Sequence, residues 1–178
     1  MRLALAILCL ALPAALQAAS SSSLGPSDAM RCYEESRLPL SSSGVKYCDD
    51  ALRHGDLTRR DQAATYSNRG IILSNNGKLQ AALEDHDRAI ELMPALGQAY
   101  VNRGNTHYHM RDFEAAIADF DRAIALGATP GQVCRYNKAL ALLKLGRKDE
   151  ARASLQAALE FAPDSGKIKN RLEELENL

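Results

Sequence analysis

An all-α fold, a solenoid of stacked helical hairpins, is predicted by two phrases that return along the chain at one fixed interval. Tyr-Ser-Asn-Arg-Gly at 66–70 is followed 34 residues later by Tyr-Val-Asn-Arg-Gly at 100–104. Asp-His-Asp-Arg-Ala-Ile at 85–90 likewise returns as Asp-Phe-Asp-Arg-Ala-Ile at 119–124. A constant period of this length is typical of repeats that stack and share one continuous core. It shifts the expectation from a catalytic pocket toward a binding surface.

Three repeat units are predicted, over residues 63–96, 97–131 and 132–165. Within each unit, small and apolar residues recur at steps of three and four, which is the spacing of one helix face. Gly77 and Gly146 interrupt this spacing in the middle of the first and third units. Pro94 and Pro163 follow the same two units, where a helix cannot readily continue. Each unit is therefore expected to be two helices joined by a turn.

Two further elements flank the repeats. Residues 28–58 predict a degenerate hairpin of the same kind. Residues 166–178 predict a capping helix, because Ile168, Leu172 and Leu175 form a single apolar stripe among charged residues. A terminal helix of this kind covers the open end of the last hairpin, as a solenoid requires.

The units resemble the tetratricopeptide repeat in length and in residue types. The matching residues are Tyr66, Gly70, Leu73, Ala82, Ala89 and Pro94, then Tyr100, Gly104, Ala116, Phe120 and Ala123, then Ala151, Leu155, Ala158 and Pro163. The residue pattern of the units, Asn-Arg-Gly followed by Asp-Phe-Asp-Arg-Ala-Ile, resembles a repeat subtype that is common in bacterial envelope proteins. The resemblance implies a right-handed α-solenoid whose first helices line a concave groove. It also implies a non-catalytic scaffold or adaptor that holds a protein or peptide partner in that groove.

The resemblance places a row of polar side chains in the groove. One asparagine recurs in each unit, at Asn68, Asn102 and Asn137, and its amide could pair with the backbone of an extended peptide. Asparagine is disfavoured inside helices, so its recurrence favours binding, while solvation of a helix face is the alternative. Helical spacing adds the remaining groove candidates: Ile71, Asn75, Gln98, Asn105, His109 and Lys144.

A clamp for a terminal carboxylate, known in chaperone-binding members of the family, is not expected. That clamp pairs two asparagines, matched here by Asn68 and Asn102, with basic residues. Ala64, Val133 and Asn137 stand at the positions of the basic residues.

Basic residues also recur in register, at Arg69, Arg103 and Lys138, and acids on the second helices share their period. We expect an acid of one second helix to pair with the base of the next first helix. A basic rail for an acidic ligand is the alternative. Exposed pairs of this kind contribute at most about 1 kcal/mol each.

The N-terminal segment predicts export. Residues 1–19 combine an early arginine, an apolar run and small residues at the end, which indicates a secretory signal peptide. Cys9 lies inside the apolar run and is not placed for lipid attachment. Residues 20–27 are rich in serine and predict a flexible linker. Together with the resemblance, this leader predicts a soluble protein of the bacterial periplasm.

In an oxidising compartment, Cys32 and Cys48 of the first hairpin could form a disulfide. On alignment with the later units both face the seam between the paired helices, and such a loop would add about 3 kcal/mol of stability. Two reduced core cysteines are the alternative. Cys134 is expected to be a semi-buried thiol, with an intermolecular link as the other possibility.

Composition and motifs exclude several function classes. With 22 basic and 22 acidic residues the chain has no basic excess for nucleic acid. After the leader no apolar run approaches the ~20 residues that span a bilayer. His86 and His107 replace aromatic residues and are expected to form a hydrogen-bonded core pair rather than a metal site.

No nucleophile with an adjacent base and no glycine-rich phosphate loop stands out. The chain is therefore predicted to have no catalytic residues, no metal and no cofactor. A self-associating structural component of an envelope assembly is the alternative to the scaffold, and the sequence leaves the oligomeric state open.

Overall fold

A computed structural model describes residues 27–177, and all regular structure in that range is helical. The helices are α1 (Asp28–Ser36), α2 (Gly44–His54), α3 (Arg59–Asn75), α4 (Leu79–Leu92), α5 (Gly97–His109), α6 (Phe113–Ala125), α7 (Gly131–Lys144), α8 (Lys148–Leu159) and α9 (Gly166–Glu176). The predicted signal peptide and residues 20–26 of the predicted linker lie outside the described range. Within it, no helix combines the length and the apolar character needed to cross a membrane.

The helices form four consecutive hairpins, and α9 covers the last one. Each first helix packs against the second helix of its hairpin, which in turn packs against the first helix of the next. Successive first helices α1, α3, α5 and α7 also pack on one another, whereas successive second helices of residues 27–177 do not pack closely. The layer of first helices is therefore the inner side of a curved stack. The predicted α-solenoid is confirmed, and we call the concave surface of the first helices the groove.

Small residues lie where paired helices approach each other. The positions that recur as alanine are fully buried: Ala82, Ala89, Ala116, Ala123, Ala151 and Ala158. Side chains of this size let two helices come close to the short end of the usual ~8–10 Å separation. The regular spacing of these alanines therefore sets the regular stacking of the hairpins.

Side-chain caps mark the start of α1, α3 and α6, and the first two bear on the predicted bounds. The Ser27 hydroxyl accepts a hydrogen bond from the backbone N–H of Met30 at 3.2 Å, so the last residue of the predicted linker is the N-cap of α1. Thr58 accepts from the N–H of Asp61 at 3.2 Å in the same way. Because of this cap, α3 starts at Arg59, upstream of residue 63 where the first unit was predicted to begin.

The turns inside the three units share a left-handed residue. Gly77 and Gly146, the predicted turn residues, have φ of 78° and 73°. The second unit has Arg111 at the same position, with φ of 65°. A residue with a Cβ in this conformation costs roughly 1–2 kcal/mol, so the second turn carries strain that the other two avoid.

The first hairpin is joined covalently. Cys32 of α1 and Cys48 of α2 form the predicted disulfide, with Cα atoms 4.8 Å apart and both side chains fully buried beneath Ile72. Cys134, by contrast, is a free cysteine that is 1% exposed, and burial raises the pKa of its thiol. The expectation of a semi-buried thiol was wrong. This burial also argues against the alternative, an intermolecular link.

Candidate functional site

Arginine side chains hold successive hairpins in register. The Arg103 guanidinium donates to both carboxylate oxygens of Asp119 in its own unit, at 2.8 and 2.6 Å, and to Asp87 of the preceding unit at 2.6 Å. The hydrogen bonds to Asp119 are the main reason why the pKa of Arg103 lies above its usual value. The predicted pairing between units is confirmed, while the carboxylate within the unit was not foreseen.

The first unit repeats this arrangement, and the third unit keeps only the pair with the preceding unit. Arg69 donates to Asp85 of α4 and to Asp49 of α2, and Lys138 donates to Asp121 of α6. These contacts occupy the basic residues that recur with the repeat. A free basic rail for an acidic ligand is therefore not present along the described units.

Pockets follow one another along the groove, each between neighbouring first helices. The N-terminal pocket, between α1 and α3, includes Met30, Tyr33, Ala64 and Asn68. The His86 pocket, between α3 and α5, is lined by Ile71, Ser74, Asn75, His86, Asn102, Asn105, Thr106 and His109. The Phe120 pocket, between α5 and α7, is lined by Asn105, Tyr108, His109, Phe120, Asn137 and Leu140. The C-terminal pocket, between α7 and α9, includes Val133, Tyr136, Asn137, Lys167 and Ile168.

Most of the predicted groove residues converge on these pockets. The His86 pocket alone, with a volume of about 180 Å³, collects five of them: Ile71, Asn75, Asn102, Asn105 and His109. Sequence reasoning did not place Ser74, His86 and Thr106 there. Gln98 and Lys144 are exposed but are absent from the linings of the four pockets described above.

The recurring asparagines do not form a free ladder. The Asn102 side chain is 9% exposed; its Nδ2 donates to Ser67 Oγ at 2.9 Å, and its Oδ1 accepts from Gln98 at 3.2 Å. The expectation that all three amides are free for a ligand is therefore wrong for Asn102, which joins α5 to α3. Asn137 likewise joins α7 to α5 by donating to Asn105 Oδ1 at 2.9 Å.

Two amide groups remain available in the groove. The side chain of Asn68, half-buried in the N-terminal pocket, makes no hydrogen bond to any other described residue. Asn105 uses its oxygen to accept from Asn137, and its Nδ2 group has no acceptor among residues 27–177. Asn75 donates to the backbone oxygen of Leu38 at 3.2 Å and so links α3 to the loop of the first hairpin.

His86 is a fully buried imidazole without a hydrogen bond. Both ring nitrogens lack a partner among the described residues, and burial lowers the pKa of the ring to about 4. The ring lies directly against Gly70, where an added Cβ would come within 2.5 Å of it. Glycine at position 70 is therefore required by the ring that faces it.

The predicted hydrogen-bonded pair of His86 and His107 is not formed. The nitrogens of His107 lie 3.7 Å from Asp112 and 3.9 Å from Asp119, and its Nδ1 also lacks a hydrogen bond. The side chain of His107 turns toward carboxylates of its own unit, so His86 stays unpartnered. No group of three metal-ligating side chains comes together within the described part of the chain.

The family model described as tetratricopeptide repeat matches residues 67–133 and 102–166. No curated protein matches the sequence significantly. Among solved structures, the second TPR domain of human RPAP3 in complex with an HSP70 peptide is 23% identical, with a TM-score of 0.62 over 67% of this chain and 98% of that one. The TPR domain of Arabidopsis OM64 is 20% identical, with a TM-score of 0.63 over 67% of this chain and 98% of that one.

A longer match is a double mutant of MamA RS-1, with 19% identity and a TM-score of 0.68. It covers 85% of this chain and 84% of that one. At these sequence identities, the similarity to the three solved structures shows that the fold is shared.

Proposed function

This chain belongs to the tetratricopeptide repeat family, and we propose that it is a non-catalytic scaffold whose groove holds an extended segment of a partner protein. The family fold is generally a protein-interaction scaffold. The human RPAP3 domain, which shares the fold, is seen in complex with an HSP70 peptide. Neither a cofactor nor a metal enters the proposal.

The observation that carries the proposal is the row of pockets along the first helices. Packed helices lie ~8–10 Å apart, and an extended chain advances about 3.3–3.6 Å per residue. About three residues of a bound segment would therefore span from one pocket to the next. A segment of roughly ten residues could reach from the N-terminal pocket to the C-terminal pocket.

The groove supplies contacts for such a segment. The amide of Asn68 and the unused Nδ2 group of Asn105 could pair with its main chain, which would make binding tolerant of its side chains. Ile71 and His109 line the same pocket as Asn105 and would contact the side chains of the segment. Ala64 and Val133 leave the groove without the basic residues of a carboxylate clamp, so an internal segment suits it better than a chain terminus.

The proposed place of action is outside the cytoplasm, in the bacterial periplasm or cell envelope. The three-part pattern of residues 1–19 supports export. The buried disulfide between Cys32 and Cys48 supports an oxidising compartment.

Photo-crosslinking in intact cells tests the groove. Benzoylphenylalanine at His109, which is exposed and lines two pockets, is expected to crosslink a partner protein. The same group at Gln156, exposed on α8, serves as the matched control. Adducts that are equally frequent from both positions would contradict a groove site.

A peptide from the crosslinked partner then tests the contacts. Replacement of Asn68 and Asn105 by alanine should weaken its binding at least about tenfold, which is about 1.4 kcal/mol. Gln156→Ala should leave the affinity unchanged. Equal affinities for both variants in a calorimetric titration would remove the amides from the site.

Self-association in an envelope assembly is the second candidate. It is favoured by large apolar side chains that the first hairpin exposes: Met30, Tyr33, Leu38 and Leu40. Sedimentation at several concentrations separates the two functions. A scaffold without its ligand stays monomeric, whereas a self-associating component increases in mass with concentration.

A further inference from the structure

The His86 pocket has a polar floor in a place where the next pocket has an apolar one. His86 and Phe120 occupy the same position of the repeat, 34 residues apart, and both are fully buried. Each lines the pocket on the concave side of its unit. Phe120 has no hydrogen-bonding capacity to satisfy, whereas His86 has one donor and one acceptor, and both are unused.

A buried polar group without a partner is expensive, at about 1–3 kcal/mol. Such a group in a tightly packed fold calls for a reason, and the pocket that the His86 side chain lines supplies one. The lining adds one further unused donor, Nδ2 of Asn105, while the buried hydroxyl of Thr106 already donates to the backbone oxygen of Asn102 at 3.1 Å. The unused hydrogen-bonding groups of this part of the groove are thus gathered in one place.

The charges around the pocket narrow the ligand chemistry. Its lining contains no lysine, arginine, aspartate or glutamate. Arg103, whose charge acts on the ring, is held by Asp119 and Asp87. A carboxylate in the pocket would lose water without gaining a cation, and an ammonium group would lose water without gaining an acid.

An apolar side chain would also fit poorly, because it would leave the polar lining unsatisfied. Sites built to hydrogen-bond a ligand reject analogues that cannot form those bonds far more strongly than apolar sites reject extra methylene groups. A carboxamide carries one acceptor and a donor group, which matches a neutral imidazole beside the Asn105 amide.

We propose that the His86 pocket is a subsite for a neutral hydrogen-bonding side chain, and that glutamine or asparagine is its best occupant. The proposal rests on the proposed function, since the side chain would belong to the segment held in the groove. It assigns that segment a pattern in which the amide lies about three residues from an aromatic or aliphatic side chain in the Phe120 pocket. His86 is neutral above a pH of about 4, because burial lowers its pKa, and so it can both donate and accept.

Titration with small probes tests the subsite without the unknown partner. The probes are the N-acetyl methylamides of glutamine, glutamate and leucine, and NMR follows Asn105, Thr106 and the ring nitrogens of His86. The glutamine probe should bind at these residues at least about fivefold more tightly than the other two, a difference of about 1 kcal/mol. The leucine probe should instead shift Tyr108 and Leu140 of the Phe120 pocket.

Two variants each give the His86 pocket a residue that stands at the equivalent position of the Phe120 pocket. His86→Phe installs the residue found at the equivalent position of the second unit, and Asn105→Leu installs the residue found at Leu140. Each should abolish the preference for the glutamine probe. Asn105→Leu removes the hydrogen bond from Asn137 but changes no fully buried side chain, so it reports even if His86→Phe unfolds. The proposal is overturned if wild type ranks the three probes equally, or if both variants keep the preference for glutamine.

The two proposals fail separately. Probe selectivity without crosslinks from His109 would leave the subsite standing and remove the scaffold. Crosslinks from His109 without probe selectivity would leave the scaffold standing and remove the subsite.

Discussion

The first and second repeat units, α3–α4 and α5–α6, follow one template and differ in where each carries an unfavourable feature. In the first unit the ring of His86 meets Gly70, and in the second the ring of Phe120 meets Gly104. A Cβ added to either glycine would come within 2.9 Å or less of the ring, so the steric arrangement is shared. The two rings differ in chemistry: His86 leaves two buried nitrogens without hydrogen bonds, whereas Phe120 has no polar atom in its ring.

The second unit carries its unfavourable feature in the backbone instead. Arg111 adopts the left-handed conformation that glycine adopts at Gly77. The turn of the second unit is exposed and lies away from the groove pockets, whereas His86 forms a pocket floor. A repeat template therefore tolerates deviations of both kinds, and only the deviation inside the groove changes what the surface can bind.

The largest change in stability should come from truncation of the Phe120 and His86 side chains to alanine. Phe120→Ala should lower the free energy of unfolding by about 3–5 kcal/mol, as other buried aromatic residues do. His86→Ala should cost less than half as much, because removal of the imidazole also removes two unsatisfied polar atoms. Urea denaturation at pH 7 measures both values. Equal losses would mean that His86 stabilises the fold as Phe120 does.

The next largest effect should be a loss of stability at low pH that comes from the first unit. The pKa of His86 is about 4 in the folded protein, whereas its ordinary value is 6.5. Between these two pH values the ring is protonated in the unfolded chain and neutral in the folded one. The stability that depends on a neutral ring is full above pH 6.5 and is lost as the pH falls toward 4. At pH 5 this loss amounts to about 2 kcal/mol relative to pH 7.

His86→Phe is the control, because it removes the titrating group and keeps the ring. Burial is the main reason why the ring stays neutral; among nearby charges Asp87 has the largest effect and opposes it, while Arg103 and His107 favour the neutral form. The variant should therefore lose about 2 kcal/mol less than wild type between pH 7 and pH 5. Parallel stability curves for the two proteins would show that His86 does not titrate with unfolding.

The repeat architecture could be predicted because its evidence lies in spacing. Alanine at 82, 116 and 151 marks the same buried position in each unit, and the cysteine pair follows from placing the first hairpin on the same template. The pairing of Asp87 with Arg103 was predictable for the same reason. Features that repeat with the template leave a trace in a single sequence.

The candidate site was predicted less well because it depends on departures from the template. The alignment places Asn102 on the groove side, but its amide reaches Ser67 only because a small hydroxyl stands there where the next unit has Val101. His86 and His107 were paired on position alone. In the structure the nitrogens of His107 lie instead near Asp112 and Asp119, and no spacing rule within one unit reports which way that side chain points.

The smallest effect should come from the turn of the second unit. Arg111→Gly removes a Cβ from a left-handed residue and should raise the free energy of unfolding by about 0.5–1 kcal/mol, since the strain of roughly 1–2 kcal/mol is partly offset by the greater freedom of glycine in the unfolded chain. The reciprocal change, Gly77→Arg, should lower the stability by a similar amount, because nothing lies within 4 Å of a Cβ at that position and only the backbone resists it. Thermal unfolding of both variants measures the pair. Shifts of the same sign would show that the two turns are not equivalent, and that the second unit has adapted its turn to arginine by contacts outside the backbone.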